Sequence, residues 1–194
     1  MKRGARNAGL RKMPKQQKLS EFTDSLQSSF VMKLFSGPLD YRVADMSIDA
    51  IPQDERLWVP QAPNVWFRPL ILDRVNGQWV SLLRVRRSGV LSRHLHPAPV
   101  YGYVIRGAWR YLEHDWIARE GTFIFEPPGE IHTLVVDDGV EEMITLFHVC
   151  GALIYYDEND QVVGHDDVHR KILMCQDHFE QVGFGRDYVG QFIR

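Results

Sequence analysis

Two histidines one residue apart, His94 and His96, stand in the stretch GVLSRHLHPAP between a glycine and two prolines. Alternate side chains of a β-strand point to the same face, so both imidazoles can bind one metal ion. A tight site needs a third ligand from elsewhere in the chain. His132 is the candidate, because it follows the turn residues Pro127-Pro128-Gly129 at the start of a strand-like run. A His-x-His pair alone is more often structural, but the combination predicts a site of three imidazoles.

Three other polar residues are candidates for a catalytic or supporting role near these histidines. Glu126 directly precedes the Pro-Pro-Gly turn, and Arg84 stands in an otherwise apolar strand. Either could reach the cavity, although a structural or solvated charge is the simpler interpretation of both, since strand parity is unreliable near bulges. His148 lies in the apolar run TLFHVC. That context favours a hydrogen-bonded core histidine.

The elements that must position these residues are mostly short strands. Residues 65–87 form two runs of β-branched and aromatic residues joined by Asn76-Gly77, a strong hairpin signal. Further strand-like runs follow as far as Tyr156, separated by glycine, proline, asparagine and aspartate turns. Many short strands at close spacing indicate a sandwich or barrel. Apolar residues then recur every three or four positions over residues 167–182, which predicts a helix.

The pattern predicts four segments. Residues 1–18 contain seven basic residues and no acidic one, and we expect a disordered leader there. Residues 19–64 are an N-terminal extension with a short helix near LSEFTDSLQSSF and loops. Residues 65–157 are the barrel, and residues 158–194 contain the end of a hairpin and the C-terminal helix.

The composition is that of an ordinary globular domain, with 44% hydrophobic and 25% charged residues among 194. The net charge of −2 argues against a nucleic-acid partner, and no apolar run is long enough to span a membrane. The two cysteines, Cys150 and Cys175, fit neither a zinc ribbon nor a disulfide framework. Reduced core thiols are their simplest interpretation, which predicts a cytoplasmic protein.

The glycines, prolines and histidines of this region closely resemble the two cupin motifs. The first cupin motif ends with a glycine eleven residues after its second histidine, where this chain has Gly107. The second motif runs glycine, five residues, Pro-x-Gly, two residues and histidine, and the chain matches it from Gly121 to His132. The gap between Gly89 and His94 is one residue short of the usual form. The resemblance covers residues 65–157 and implies an all-β fold: a single cupin double-stranded β-helix, or jelly-roll barrel, with a short N-terminal extension and a C-terminal helix.

The chain departs from the cupin pattern at two ligand positions. Val100 replaces the glutamate four residues after the second histidine, and Val136 replaces the asparagine of the second motif. The resemblance then implies three imidazoles and no carboxylate, which leaves a divalent iron with its full charge and suits an anionic, chelating substrate. Val100 and Val136 share inward parity with Gly102, Val104 and Leu134. These five residues predict an apolar pocket for a hydrophobic or aromatic ligand.

Among three-histidine cupins, HLHPAPVYGYVIRGAW and FEPPGEIHTLVV most resemble the bacterial 2,4'-dihydroxyacetophenone dioxygenases. This resemblance implies one Fe(2+) per subunit, a small aromatic α-hydroxyketone and O2 as partners, and a homo-oligomer, dimer or tetramer. The implied reaction cleaves the bond between the carbonyl and hydroxymethyl carbons and yields 4-hydroxybenzoate and formate.

Other functions stay open on the same scaffold. One is a cupin dioxygenase for a β-diketone, thiol or flavonoid. Another is a metal-binding sensor or binding module without catalysis, and a third is an isomerase or epimerase. Substrate choice depends on cavity side chains, and one fold supports many chemistries.

Overall fold

The structure is a computed structural model that describes residues 45–194. The predicted leader and the predicted helix near LSEFTDSLQSSF lie outside the described residues. The described part contains twelve strands and one α-helix. They are, in chain order, β1 (Val59–Ala62), β2 (Val65–Asp73), β3 (Gln78–Val85), β4 (Gly89–Leu95), β5 (Val100–Arg106), β6 (Ala108–Tyr111), β7 (Ala118–Arg119), β8 (Phe123–Glu126), β9 (Ile131–Val136), β10 (Met143–Cys150), β11 (Ala152–Tyr156), β12 (Val162–Asp167) and α1 (Val168–Gln181). Short 3-10 helices cover Glu55–Leu57 and Arg186–Phe192.

The strands form two antiparallel six-stranded sheets. The first sheet has the order β1-β2-β3-β10-β5-β8, and the second has the order β12-β11-β4-β9-β6-β7. From β3 to β6 and again from β7 to β11, each strand lies in the opposite sheet from the one before it, as in a jelly roll. The all-β fold and the C-terminal helix are therefore confirmed. β1 lies before residue 65, the predicted start of the barrel, and β12 lies beyond residue 157.

The first hairpin forms where the sequence predicts it. β2 and β3 pair from Val65 opposite Val85 to Asp73 opposite Gln78, with a register shift between Pro69 and Ile71. The Asp73 carboxylate accepts hydrogen bonds from the Asn76 backbone and side chain, at 2.9 and 2.7 Å. These bonds fix the turn and lower the pKa of Asp73 to about 2.

Alternation along the strands produces the buried interior. In β5, Val100, Gly102 and Val104 are buried, whereas Tyr101 and Tyr103 are exposed on the outer face. Gly107 closes the turn after β5 with a φ of +74°, and a Cβ there would lie 2.3 Å from a backbone oxygen. Only glycine fits this position without a backbone shift.

Helix α1 packs against β1 and β2. The Asp167 carboxylate caps its first turn by accepting a hydrogen bond from the Arg170 backbone N–H. Four residues of the predicted apolar stripe are buried: Val168, Ile172, Cys175 and Phe179. Lys171 is buried beside them and points into the barrel, a feature that the periodicity did not predict. Between residues 45 and 194, neither the length nor the polarity of any helix suits a membrane crossing.

Candidate metal centre

The structure brings His94, His96 and His132 together inside the barrel. β4 pairs with β9 so that His94 stands opposite His132, and His96 follows one residue after the end of β4. One ring nitrogen from each of the three lies within 4.8 Å of the others, and all three side chains are buried. The closest approach is 3.0 Å, between the Nε2 atoms of His96 and His132. Pairing of two neighbouring strands thus creates the cluster that the spacing predicts.

A carboxylate also reaches these imidazoles, contrary to the expected site without one. Glu126 Oε2 lies 2.7 Å from His96 Nε2 and 3.6 Å from His132 Nε2. The Tyr111 hydroxyl donates a hydrogen bond of 2.9 Å to the same oxygen. Glu126 is only 5% exposed, so it is not a solvated charge.

The position of this carboxylate follows from strand pairing. Glu126, the last residue of β8, is the cross-strand partner of Val100 in β5. Directly opposed residues of an antiparallel pair project from the same face. The neighbouring strand therefore supplies a carboxylate next to position 100, where the usual cupin glutamate would stand.

Burial keeps His94 and His132 in the neutral form that binds metals. Loss of solvation, with the other histidines close by, lowers the pKa of His94 to about 3 and that of His132 to about 2. Burial and the charge of Glu126 raise the pKa of Tyr111, so its hydroxyl remains a donor. Ser92 Oγ lies 3.0 Å from His94 Nδ1, which orients the ring and leaves Nε2 for a metal.

A divalent transition metal fits this set of donors. Three imidazoles and one adjacent carboxylate are ligands that suit iron, zinc or nickel. Glu126 Oε1 and His96 Nδ1 are buried and have no hydrogen-bond partner within residues 45–194. His114 and Glu130 form a second possible group with His132, but Glu130 is exposed. The buried three-histidine group is the better candidate.

His94 and His96 line a cavity of about 80 Å³ together with Tyr111 and Glu126, whereas His132 does not line it. Three polar residues that are distant from the histidines in the sequence also line this cavity: Gln61, Tyr155 and Lys171. The walls are mostly apolar and include Phe67, Trp79, Val100, Leu134, Phe147, Val149 and Leu153. An adjoining pocket of about 360 Å³ shares five lining residues with the cavity: Gln61, Leu83, Ser92, Leu134 and Tyr155.

The predicted pocket residues divide into two groups. Val100 and Leu134 line the cavity. Gly102, Val104 and Val136 are buried but, contrary to the prediction, do not line it. The alternation along a strand predicts which face a side chain occupies but not how far along the barrel it lies. At Gly102, the ring of Phe147 already occupies the space, since a Cβ built there would lie 3.2 Å from a carbon of that ring.

Arg84 and His148 lie outside the cavity, so neither is a catalytic candidate. The Arg84 guanidinium pairs with Glu55 and lies over the rings of Trp58 and Trp66, at 4.2 and 4.8 Å. His148 is half-buried, and its Nε2 lies 2.9 Å from the side-chain oxygen of Gln78. Both residues alternate along their strands with residues that line the cavity, and they therefore face away from it.

Sequence reasoning missed Tyr111, Tyr155 and Lys171. Tyr111 stacks on His132 with ring centroids 3.7 Å apart, and Tyr155 contacts the His94 ring edge-on at 6.3 Å. Each lies in a run whose apolar pattern predicts only a strand or a helix. Their roles depend on pairing between distant strands, for which one sequence offers no signal.

The double-sheet barrel and its buried histidine cluster define the chain as a cupin. Residues 48–154, more than half of the chain, match the family model of the ChrR cupin-like domain. The chain belongs to this family. No curated protein matches the chain by sequence.

Solved structures of cupins share the fold. An RmlC-like cupin protein from Ralstonia eutropha JMP134 is 28% identical with a TM-score of 0.61, covering 69% of this chain and 89% of its own. A cupin-like protein of unknown function from the same organism is 22% identical with a TM-score of 0.59, and the match covers 61% of this chain and 75% of that protein. An acetylacetone dioxygenase from Acinetobacter johnsonii is 13% identical with a TM-score of 0.57, and the match covers 69% of this chain and 94% of that protein. At this identity the last two show the fold alone.

Proposed function

We propose that the protein is a non-haem iron(II) dioxygenase that cleaves a carbon–carbon bond of an aromatic α-hydroxyketone. The reaction is 2,4'-dihydroxyacetophenone plus O2 to 4-hydroxybenzoate plus formate, in which both oxygen atoms enter the products. The observation that carries this proposal is the cluster of three buried imidazoles beside Glu126, next to a cavity with apolar walls. One cupin of the same fold is an acetylacetone dioxygenase, so the fold is compatible with this class of reaction.

His94, His96 and His132 would hold the metal. When bound, iron(II) supplies activation of O2 and binding of the two substrate oxygens. Because the three imidazoles bring no charge, they leave the metal able to bind an anionic, chelating substrate. The protein's own contribution is to orient the ligands, exclude water and move one proton.

Glu126 is the group placed to take a proton from the substrate hydroxyl. Its Oε2 is held by Tyr111 and lies beside His96, whereas its Oε1 has no partner within the described residues. A carboxylate fixed through one oxygen and open at the other can accept a proton without reorientation. Glu126 then returns that proton to a departing product oxygen.

The cavity size determines how the substrate can lie. An engineered cavity of about 150 Å³ holds benzene, so the cavity of 80 Å³ alone is too small for the whole substrate. The aromatic ring must extend across the boundary with the adjoining 360 Å³ pocket, past Leu83 and Leu134. These apolar side chains exclude water from the reacting carbons.

A metal-binding sensor without catalysis is the second candidate. Three histidines and a nearby carboxylate also suit tetrahedral zinc, which does not activate O2. The metal bound by the protein therefore separates the two functions.

The test is anaerobic purification of the full chain, metal analysis, and measurement of O2 uptake with 2,4'-dihydroxyacetophenone. We expect near-stoichiometric iron, formate release equal to O2 consumed, and loss of both metal and turnover in His132→Ala. Iron without formate would reject this substrate and redirect the assay to β-diketones. Stoichiometric zinc with no turnover after iron replacement would reject the dioxygenase and favour the sensor.

A further inference from the structure

A lysine is buried in the wall of the same cavity. Lys171, on α1, is only 3% exposed, and its ammonium lies 4.6 Å from the centre of the Phe67 ring and 6.0 Å from that of Trp79. All three residues line the cavity. Because a buried ammonium is costly unless it is paired and hydrogen-bonded, its position requires an explanation.

The partners of Lys171 leave part of its binding capacity unused. Its Nζ donates hydrogen bonds to Asp166 Oδ2 at 2.7 Å and to Gln61 Oε1 at 3.0 Å. An ammonium group has three donors, so two acceptors among residues 45–194 leave one N–H for a ligand. Gln61 is half-buried and lies where the cavity and the outer pocket join, so a ligand oxygen can also displace its amide.

The charge of Lys171 is also only partly balanced. Asp166 is its one carboxylate partner among residues 45–194, but the same side chain accepts a hydrogen bond from the Tyr155 hydroxyl at 2.9 Å. Arg170 binds the other oxygen of Asp166 at 2.8 Å. Two cations thus share one carboxylate, and the buried one faces the cavity. An anionic ligand oxygen would complete the balance.

Tyr155 sets the distance between the two polar ends of the cavity. Its Cα is paired with that of His94 and its ring lies against the His94 ring, while its hydroxyl binds Asp166 next to Lys171. One tyrosine side chain therefore spans the space from His94 to Asp166, the partner of Lys171. A ligand that touches both ends has a spacer about as long as one aromatic ring.

We propose that Lys171 binds a phenolate or carboxylate oxygen at the end of the substrate opposite the metal-binding oxygens. The ligand class is a small aromatic molecule with polar groups at both ends and an apolar middle. This inference rests on the proposed function, which assigns the metal-binding oxygens to the end of the substrate near the histidines. Lys171 is a substrate-binding residue here and takes no part in bond cleavage.

Three probes that share an acetyl group test this role: acetophenone, 4-hydroxyacetophenone and 4-acetylbenzoate. Binding to the anaerobic, iron-loaded full chain is measured by calorimetry, and no turnover occurs without O2. We expect 4-hydroxyacetophenone or 4-acetylbenzoate to bind at least about tenfold more tightly than acetophenone, as for a hydrogen bond to a charged group. The better of the two identifies the oxygen as phenolic or carboxylic. Equal or undetectable binding of all three overturns the proposal.

Lys171→Met removes the charge but keeps the length of the side chain. We expect this variant to lose the tighter binding of the probes that carry a second polar group, while acetophenone binds as before. A merely structural lysine would not produce this change. An unchanged preference in this variant overturns the proposal.

Variants of Gln61 avoid the risk that Lys171→Met does not fold. Gln61→Glu places a carboxylate beside Lys171, and we expect it to abolish the preference by competing with the ligand. Gln61→Met is the matched control and should keep the preference; the same result for both variants contradicts the proposal. Because these measurements involve no O2, a lysine-dependent preference without formate release would reject the dioxygenase but not this inference.

Discussion

Replacement of Glu126 by glutamine tests whether the carboxylate beside the histidines supports the metal and the reaction. The substitution keeps the shape of the side chain and an acceptor for Tyr111, but it removes the charge 2.7 Å from His96 Nε2 and 3.6 Å from His132 Nε2. Removal of a group that supports metal ligands typically lowers metal affinity about 10- to 100-fold. Loss of a general base lowers the rate by a further factor of about 10² to 10⁴.

Two assays separate these effects. Competition with a chelator gives the iron(II) affinity, and O2 uptake at saturating iron gives kcat for the substrate. We expect Glu126→Gln to lower the affinity about tenfold or more and kcat at least about 100-fold. Glu130→Gln, a change at the exposed carboxylate near His114, is the control and should alter neither. If Glu126→Gln keeps both values within threefold of the wild type, the assignment of Glu126 is refuted.

Three further predictions concern stability. Tyr111→Phe should lower the free energy of unfolding by about 1–3 kcal/mol in urea titrations, because Glu126 loses a buried donor while the ring stack is kept; no loss would show that this bond is dispensable. Gly107→Ala should cost about 1–3 kcal/mol more than Gly121→Ala, since both glycines have positive φ but only at 107 would a Cβ meet backbone; equal costs in thermal unfolding would contradict the clash. The pKa of Asp73 is about 2, below its ordinary value of 3.8, so its hydrogen bonds stabilise the fold above about pH 4 and lose this effect as the pH falls towards 2. Asp73→Asn should therefore be less stable than the wild type above about pH 4, and this difference should shrink as the pH falls towards 2. A difference in the free energy of unfolding that does not depend on pH would refute the assignment.

Local signals made much of the fold predictable. The Asn76-Gly77 hairpin and the apolar stripe of α1 each depend on residues close together in the chain. The two motifs likewise carry His94, His96 and His132 at fixed distances from glycine and proline turns. These features need no knowledge of which strands pair across the barrel.

The remainder of the site depends on contacts between distant segments. Glu126 reaches the histidines because β8 pairs with β5 and places it opposite Val100. Lys171 enters the cavity from a helix more than thirty residues after His132 in the chain. Its apolar neighbours in α1 indicate burial, but nothing local distinguishes a buried lysine from an exposed one. Periodicity also could not show that Gly102 and Val104 lie beyond the cavity.

The two sheets contribute different parts of the candidate metal centre. His94 and His132 belong to adjacent strands of the second sheet, whereas Glu126 belongs to β8, a four-residue strand at the edge of the first sheet in the part of the chain that the structure describes. A small relative movement of the sheets would therefore change the distance from carboxylate to imidazole but leave intact the spacing of His94 and His132, which strand pairing fixes. Under the proposed function, such a movement would change proton transfer to Glu126 without changing how these two histidines hold the metal.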